Sequence, residues 1–397
     1  MMRYWKLIVL LPLIVLVIGS YYATASGSRP EYVLKVLQGD ASEAAPIVLQ
    51  AHDGGYALKL SDKGSQFRSF WEYLFDDPDY ELQTMIQEHR SFMRGVTDLR
   101  GVVYDGNKLV YAVIKSEAVE AQVKNQFRFS VMIMDEKSNK KISFELLIPN
   151  EAGYTDLNLH DIQIYGQSVN LFTSNSLPSW NGLRKVEMHR YVVDLSQEKL
   201  MKDQVILASD HQEKTDISVS HLNQIDTTLP KQCVVFEKGH WTIDSTTGNR
   251  ILQFRELFVF DPLTDKLEQV TAEPVVELLN SKEEQGLSYN SDEIFLTSWA
   301  DPKSPRVIRY QLHEKKVTHD HRISLAELPL PISAFNYGMI KNNRMYMLMN
   351  GQMLTKDAPG VVIADLDSGR VVYEGVVSRT DGVMPDRFNV SQLMVHR

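Results

Sequence analysis

Leu257–Val270, LFVFDPLTDKLEQV, reads as a strand, a turn and a second strand. Phe258 and Phe260 fall on one side of an extended chain and Leu257 and Val259 on the other, so both faces are apolar, as in a strand sandwiched between two layers. Asp261 opens the turn because its carboxylate can accept a hydrogen bond from the backbone two residues on. Pro262 presets φ at the next position, and Lys266 leads back into Leu267 and Val270. The same grammar returns in SVMIMDEKSNKKISFELLI around Asp135, RYVVDLSQEKLMKDQVIL around Asp194, VIRYQLHEKKVTHDHRI around Gln311 and VVIADLDSGRVVYEGVV around Asp365. At Gln311 the turn acid is lost, but strand, polar turn and strand survive.

A second hairpin precedes each of these: VVYDGNKLVYAV turning at Gly106, IQIYGQSVNLF at Gly166, QCVVFEKGHWTI at Gly239, LSYNSDEIFLTS at Ser291 and MIKNNRMYMLM at Asn342. Gly, Asn and Asp-Gly tolerate the positive φ of tight hairpin turns. Four strands per unit of roughly 50 to 65 residues is the pattern of a propeller blade, a small antiparallel sheet set radially about an axis. The chain thus resembles β-propeller repeat proteins in general. No tetrapeptide selects a subfamily, so the resemblance implies an all-β fold and carries no site residues with it.

The ends complete the count. Short strands are expected at Tyr32 to Leu37, Ile47 to Gln50 and Tyr56 to Leu60, the last two joined by a turn at His52-Asp53-Gly54-Gly55, and a further strand spans Phe388 to His396. A closing blade built from both termini would leave no free edge between first and last blades. The reading is a single β-propeller domain over residues 31–397, six blades with seven as the alternative. A helical insertion interrupts it over Asp77 to Gly95. There Leu82, Met85, Ile86, His89 and Met93 recur at three and four, Asp77 caps the start, Pro78 follows and Gly95 ends the run. The rival reading makes SFWEYLFDDPDYELQTMI one more hairpin turning at Asp76. Cap, period and stop agree on the helix, which is expected to pack on the rim.

Before the strands, Arg3 and Lys6 precede the apolar run Leu7–Gly19. Its length suits a signal-peptide core, and Ala23-Thr24-Ala25 offers a small-x-small cleavage site. Counted from Tyr4 to Tyr22, with Trp5 and the tyrosine pair at interfacial positions, the same segment suits a spanning signal anchor. Residues 1–25 are therefore a signal peptide or signal-anchor helix and 26–30 a linker. The expected address is the cell membrane, single-pass with the C-terminal domain outside, or secretion if the segment is cleaved. No Cys follows the run, which excludes a lipoprotein anchor.

A net charge of −9 over 397 residues leaves no basic stripe for phosphates, so nucleic acid is not an expected partner. Cys233 is the single cysteine, and intrachain disulfides are impossible. It lies in an apolar strand and reads as a small buried hydrophobe rather than a nucleophile. The run RMYMLMNGQM, Arg344 to Met353, reads as core rather than a thioether metal site.

Three places could carry chemistry. His319 and His321 flank Asp320, and on a strand the two imidazoles share a face, which permits joint metal coordination if a third ligand comes from elsewhere. The competing reading is a polar outer strand. His160 beside Asp161 could serve as an oriented base, although no nucleophile can be placed next to it, and a loop or strand-start role competes. His240 and Trp241, following the expected Gly239 turn, would sit on a loop between inner strands, where propellers bind ligands. No cofactor is implied. Two function classes stay open: a non-catalytic binding, scaffold or sensory accessory module with a protein partner in the membrane or cell envelope or a small ligand, and an exported propeller enzyme, a hydrolase, lyase or metal-dependent lactonase.

Overall fold

The structure is a computed structural model that describes residues 30–54, 56–68, 85–94, 96, 99–117, 126–150, 152–178, 185–211, 215–222, 228–244, 246–283, 285–301, 303–330, 335–350, 358–382, 384–385 and 388–395, with Pro12 and Val17. The export segment, the linker before Pro30 and the first half of the expected helix lie outside the described residues. Among the described residues no helix is long and apolar enough to cross a membrane.

The strands form six separate antiparallel sheets. Sheet I contains Ile47–Asp53, Tyr56–Ser61 and Gly64–Phe67; sheet II contains Val102–Tyr104, Lys108–Glu117, Gln126–Asp135 and Lys140–Ile148. Sheet III contains Asp156–Tyr165, Ser168–Ser176, Val186–Asp194 and Lys199–Ala208. Sheet IV holds Asp210–His211, Thr215–His221, Val234–Ile243, Arg250–Asp261 and Lys266–Gln269. Sheet V contains Gln285–Tyr289, Glu293–Ser298, Arg306–Gln311 and Lys316–Arg322, and sheet VI contains Phe335–Lys341, Arg344–Met349, Gly360–Asp365 and Val371–Arg379.

Both termini join this series, but in two sheets rather than one. Phe388–Val395 pairs with Ile47–Asp53 of sheet I, from Ile47 opposite Val395 to Asp53 opposite Phe388. Tyr32–Gly39 lies outside Val371–Arg379 as the last strand of sheet VI.

The downstream turns follow one rule. Asn139, Glu198, Asp265, Lys315 and Gly369, each four residues past Asp135, Asp194, Asp261, Gln311 and Asp365, have φ of 52°, 53°, 59°, 51° and 66°. This is the left-handed residue that ends a four-residue hairpin loop built on a tight turn. Where the turn acid is present it works as expected: Asp261 Oδ1 accepts from Leu263 N–H at 2.8 Å and Oδ2 from the Thr264 hydroxyl at 2.7 Å. The expected turns at Gly106, Gly166, Ser291 and Asn342 also lie between paired strands.

Gly239 does not turn. It lies inside the continuous strand Val234–Ile243, opposite Ser218 on one side and Arg255 on the other. Glycine is there for room: a Cβ would stand 2.8 Å from Trp241 Nε1 and 2.9 Å from Ser218 Oγ. The reversal falls instead at Asp244, whose Oδ1 accepts the Thr246 amide and whose loop closes at Gly248 with φ of 72°.

Most of the core lies between neighbouring sheets, in clusters between II and III, III and IV, IV and V, V and VI, and VI and I. The remaining cluster departs from that scheme. Met85, Phe92 and Met93, from the described part of the expected helix, pack with Val96 and Leu99 on sheet II residues Val102, Leu109, Tyr111 and Met134. Residues 85–88 are helical and Phe92 is fully buried, so this segment belongs to the core and not to the rim. A helix absent from the sequence reading, Glu273–Leu279, starts beside Pro274 and buries Val275, Leu278 and Leu279 between sheets IV and V.

Candidate functional site

The first strands of sheets III and V meet the strand Thr215–His221 of sheet IV through a run of rings. The first strand of sheet III carries a bulge: Asp161 pairs with Phe172 and Leu159 with Thr173, leaving His160 as the extra residue. A bulge re-aims its side chain. The His160 Nε2 lies 2.7 Å from Ser174 Oγ, and its ring stacks on His221 of sheet IV at 5.7 Å and 16°. His221 Nε2 in turn lies 3.1 Å from the hydroxyl of Tyr289, the last residue of the first strand of sheet V. Burial drives the His221 pKa well below the usual imidazole range, and His160, Lys231 and Arg100 push the same way. The chain of groups thus links three sheets through a neutral imidazole.

Asp161, next to His160, is engaged by residues of its own strand and of sheet IV. It is buried, accepts both hydrogen bonds of the Gln163 amide at 2.9 Å, and faces the buried Lys231 Nζ at 3.9 Å. Lys231 belongs to the connection between the first two long strands of sheet IV. That connection is tied to its neighbours by backbone: Lys231 N–H donates to Gln163 Oε1, Lys231 O accepts the Tyr165 hydroxyl, and Thr228 O accepts the Tyr104 amide of sheet II. It reaches from sheet IV across sheet III to sheet II.

His240 and Trp241 lie on the strand Val234–Ile243 and not on a loop. They face opposite sides of sheet IV and so do not form one site. The His240 ring stacks on Phe254 at 4.0 Å and its Nε2 lies 2.6 Å from Glu256. Trp241 Nε1 donates to Ser218 Oγ at 2.9 Å, under the Arg250 guanidinium at 4.7 Å.

His319 and His321 do share a face of the outermost strand of sheet V, as the alternation requires, with rings 6.1 Å apart at 83°. Both are half-buried, turned toward the Asp367–Gly369 turn of sheet VI. His319 Nε2 is 3.9 Å from Asp367, and His321 packs where a Cβ on Gly369 would come within 2.9 Å of its ring. Asp320 between them is held by two Arg306 hydrogen bonds of 2.8 Å. Among the described residues no group of three or more His, Cys, Asp or Glu side chains is placed to hold a metal ion.

Cys233 is buried, and its burial pushes the thiol up to about 11, away from nucleophile chemistry. It lines a cleft of about 290 Å³ between the Asp261 and Gln311 turns, with Lys266, Glu268, His313 and Lys315 at the margin.

One polar cluster has no counterpart in the sequence reading. His189, buried in sheet III, places Nδ1 2.6 Å from Asp203 and Nε2 3.0 Å from the Tyr154 hydroxyl. That hydroxyl also donates to Glu187 at 2.8 Å. Burial, then Glu187, raises the Tyr154 pKa. The four residues come from three separate segments, so no local motif announces them.

No family model matches the chain and no curated protein is similar to it. Solved structures do resemble it at low identity. An apocarotenoid oxygenase mutant from Synechocystis is 11% identical with a TM-score of 0.42, covering 89% of this chain and 96% of that one. The polysaccharide lyase Uly1 is 10% identical with a TM-score of 0.38, over 67% of this chain and 57% of that one. The β-propeller domain of the Trilobed protease from Pyrococcus furiosus is 11% identical with a TM-score of 0.26, over 66% of this chain and 81% of that domain. Such likenesses carry no activity across. The six small antiparallel sheets make the chain all-β and propeller-like.

Proposed function

We propose that this chain is a six-bladed propeller, closed into a ring by its two terminal strands and displayed outside the cell membrane by residues 1–25. It serves there as a non-catalytic binding module for a protein partner of the membrane or cell envelope. Closure is supported by the pairing of Phe388–Val395 with sheet I and of Tyr32–Gly39 with sheet VI. Export is supported by Arg3, Lys6 and the apolar run to Gly19. The observation that carries the binding role is the use of imidazoles as ties between sheets: His160 and His221 are stacked on each other and bonded to hydroxyls of sheets III and V. Groups held this way stabilise a scaffold and leave recognition to its surface.

The second reading, an exported propeller hydrolase, draws on one contact, Ser174 Oγ at 2.7 Å from His160 Nε2, which is the distance a nucleophile and its base require. A fluorophosphonate probe decides between the two. On the binding reading Ser174 stays unlabelled at pH 7 to 9 by mass spectrometry. Stoichiometric labelling that disappears in His160→Ala overturns it in favour of the hydrolase.

A further inference from the structure

The outer edge of sheet IV is incomplete. Its strand Arg250–Asp261 runs for 12 residues, but the outer strand Lys266–Gln269 pairs only with Phe258–Asp261. Past that, Val270 N–H reaches Leu257 O at 2.9 Å. The next rung comes from a side chain: Asn280, after the helix Glu273–Leu279, accepts the Arg255 amide at 2.6 Å and donates to Arg255 O at 3.1 Å. An amide side chain here does what the backbone of a neighbouring strand does. From Phe254 to Arg250, among the described residues, no strand lies on that edge.

Three of the five side chains there, beside Arg250 and Gln253, are apolar and open to solvent: Ile251 is 50% exposed, Leu252 39% and Phe254 44%. Long exposed edges with apolar side chains are avoided in proteins that stay apart, because their free N–H and C=O groups template pairing with another chain. The outer strand of sheet V shows one solution, KVTHDHR, polar or charged at every position but Val317. On this stretch of sheet IV only Arg250 and Gln253 interrupt the apolar side chains.

Resting on the binding role proposed above, we infer that Arg250–Phe254 is a strand-addition site for an extended segment of another protein. That segment is apolar at alternate positions and carries Lys or Arg at the end that meets Asn280. The backbone groups of the edge supply the ladder, and Ile251 and Phe254, which share the face toward sheet III, receive the apolar side chains. The basic end follows from charge: the helix beside Asn280 exposes Glu273 and Glu277, the latter 68% exposed although 3.8 Å from Arg306.

The test uses the full chain in detergent micelles and a fluorescein-labelled, end-capped peptide of alternating Val and Thr flanked by Lys. Three comparators accompany it: the same peptide N-methylated at alternate residues, the same peptide flanked by Glu, and the double variant Ile251→Lys, Phe254→Lys. The Lys-flanked peptide should slow amide hydrogen exchange within 250–255. Its anisotropy-measured affinity should fall at least tenfold for the double variant and for the N-methylated peptide, and at least threefold for the Glu-flanked peptide. If the double variant does not fold, the N-methylated peptide on the unchanged chain decides the question alone. Absence of binding, equal binding by the N-methylated peptide, or protection at a different sheet edge overturns the site. Protection elsewhere would leave the binding role standing, whereas labelling of Ser174 would remove that role and leave the edge to be judged by the peptide alone.

Discussion

Sheets VI and I, and the outer side of sheet IV, treat an exposed strand edge in opposite ways. At the VI–I seam the chain sends both ends to cover edges, and the strands meet over a shared core in which Tyr32, Phe388, Val390, Leu393 and Val395 are buried. The Tyr32 ring stacks on Phe388 at 4.6 Å and its hydroxyl donates to Asp53 at 2.7 Å, so the N-terminal strand also touches the C-terminal one. Arg344 of sheet VI adds two hydrogen bonds to Glu43, at 3.1 and 2.9 Å, just before sheet I. At sheet IV the edge is covered for one rung by Asn280 and then left open over apolar side chains. Backbone groups are sealed by the terminal strands at the seam and left open at sheet IV, as they are on the outer strands of sheets II and III, where Leu147, Met201 and Val205 are also exposed. What sets sheet IV apart is that its outer strand stops at Gln269 while the strand inside it runs back to Arg250.

The comparison breaks most visibly if the seam is removed. A chain ending at Arg387 loses the strand Phe388–Val395 and bares the edge Ile47–Asp53. Burying each of Phe388, Val390, Leu393 and Val395 is worth about 1.5 to 3 kcal/mol as an upper bound, a sum comparable with the whole stability of a domain. The truncated protein should aggregate, and light scattering with size-exclusion chromatography checks this. A soluble monomer as heat-stable as the parent would show that the seam adds no stability. Within the seam, Tyr32→Ala should cost about 3 to 5 kcal/mol by denaturant unfolding, because it opens a cavity under Phe388. Tyr32→Phe, which removes only the bond to Asp53, should cost about 0.5 to 1.5 kcal/mol.

What the sequence made legible follows the same division between local and distant causes. Asp135, Asp194, Asp261 and Asp365 mark turns whose hydrogen bonds run two or three residues along the chain, and each lies where the sequence places it. Gly239 defeats the local reading because glycine serves two needs, positive φ and close approach; only the positions of Trp241 and Ser218 across the sheet show which one applies. The helix Glu273–Leu279 has a signal in Pro274 followed by Val275, Leu278 and Leu279, but seven residues give too little of the helical period to stand out among strands. The site chemistry is less legible still. The sequence offers His160 without Ser174, because a bulge and a cross-strand neighbour bring the two together, and it offers nothing at His189, whose partners stand 14 and 35 residues away.

Between the seam and the open edge lie the inner strands, and pH separates their contribution. An unfolded imidazole binds its proton near pH 6.5, whereas His221 in the fold stays neutral well below that, burial being the main cause. Below about pH 6.5 the unfolded chain therefore takes up a proton that the folded chain refuses, and stability falls as pH falls, by up to about 1.4 kcal/mol per pH unit from this one group. Urea unfolding from pH 7 to 5 should show that slope flattened in His221→Gln. Equal slopes in the two proteins would mean that His221 is not the neutral tie between sheets IV and V. A smaller loss is expected at the turns. Asp261→Ala removes the acceptor for Leu263 N–H and the Thr264 hydroxyl and should cost about 0.5 to 1.5 kcal/mol without changing the fold, read from the unfolding midpoint.

The smallest effect is expected at the open edge, and its smallness is informative. Ile251 is 50% exposed and belongs to none of the core clusters between sheets. Exchanging it for Lys removes no buried apolar contact of the isolated chain and places a charge on an edge that water already reaches. The change in unfolding free energy should stay within about 0.5 kcal/mol, as for surface positions without special contacts. The same exchange at Val390, 4% exposed in the seam, buries an unpaired ammonium and should prevent folding. A substantial loss at Ile251 would mean that the edge is covered within the chain itself, so the contrast with the seam would vanish. A neutral result leaves three apolar side chains on a bare strand edge with no role in folding, which is the condition a surface kept for another chain must satisfy.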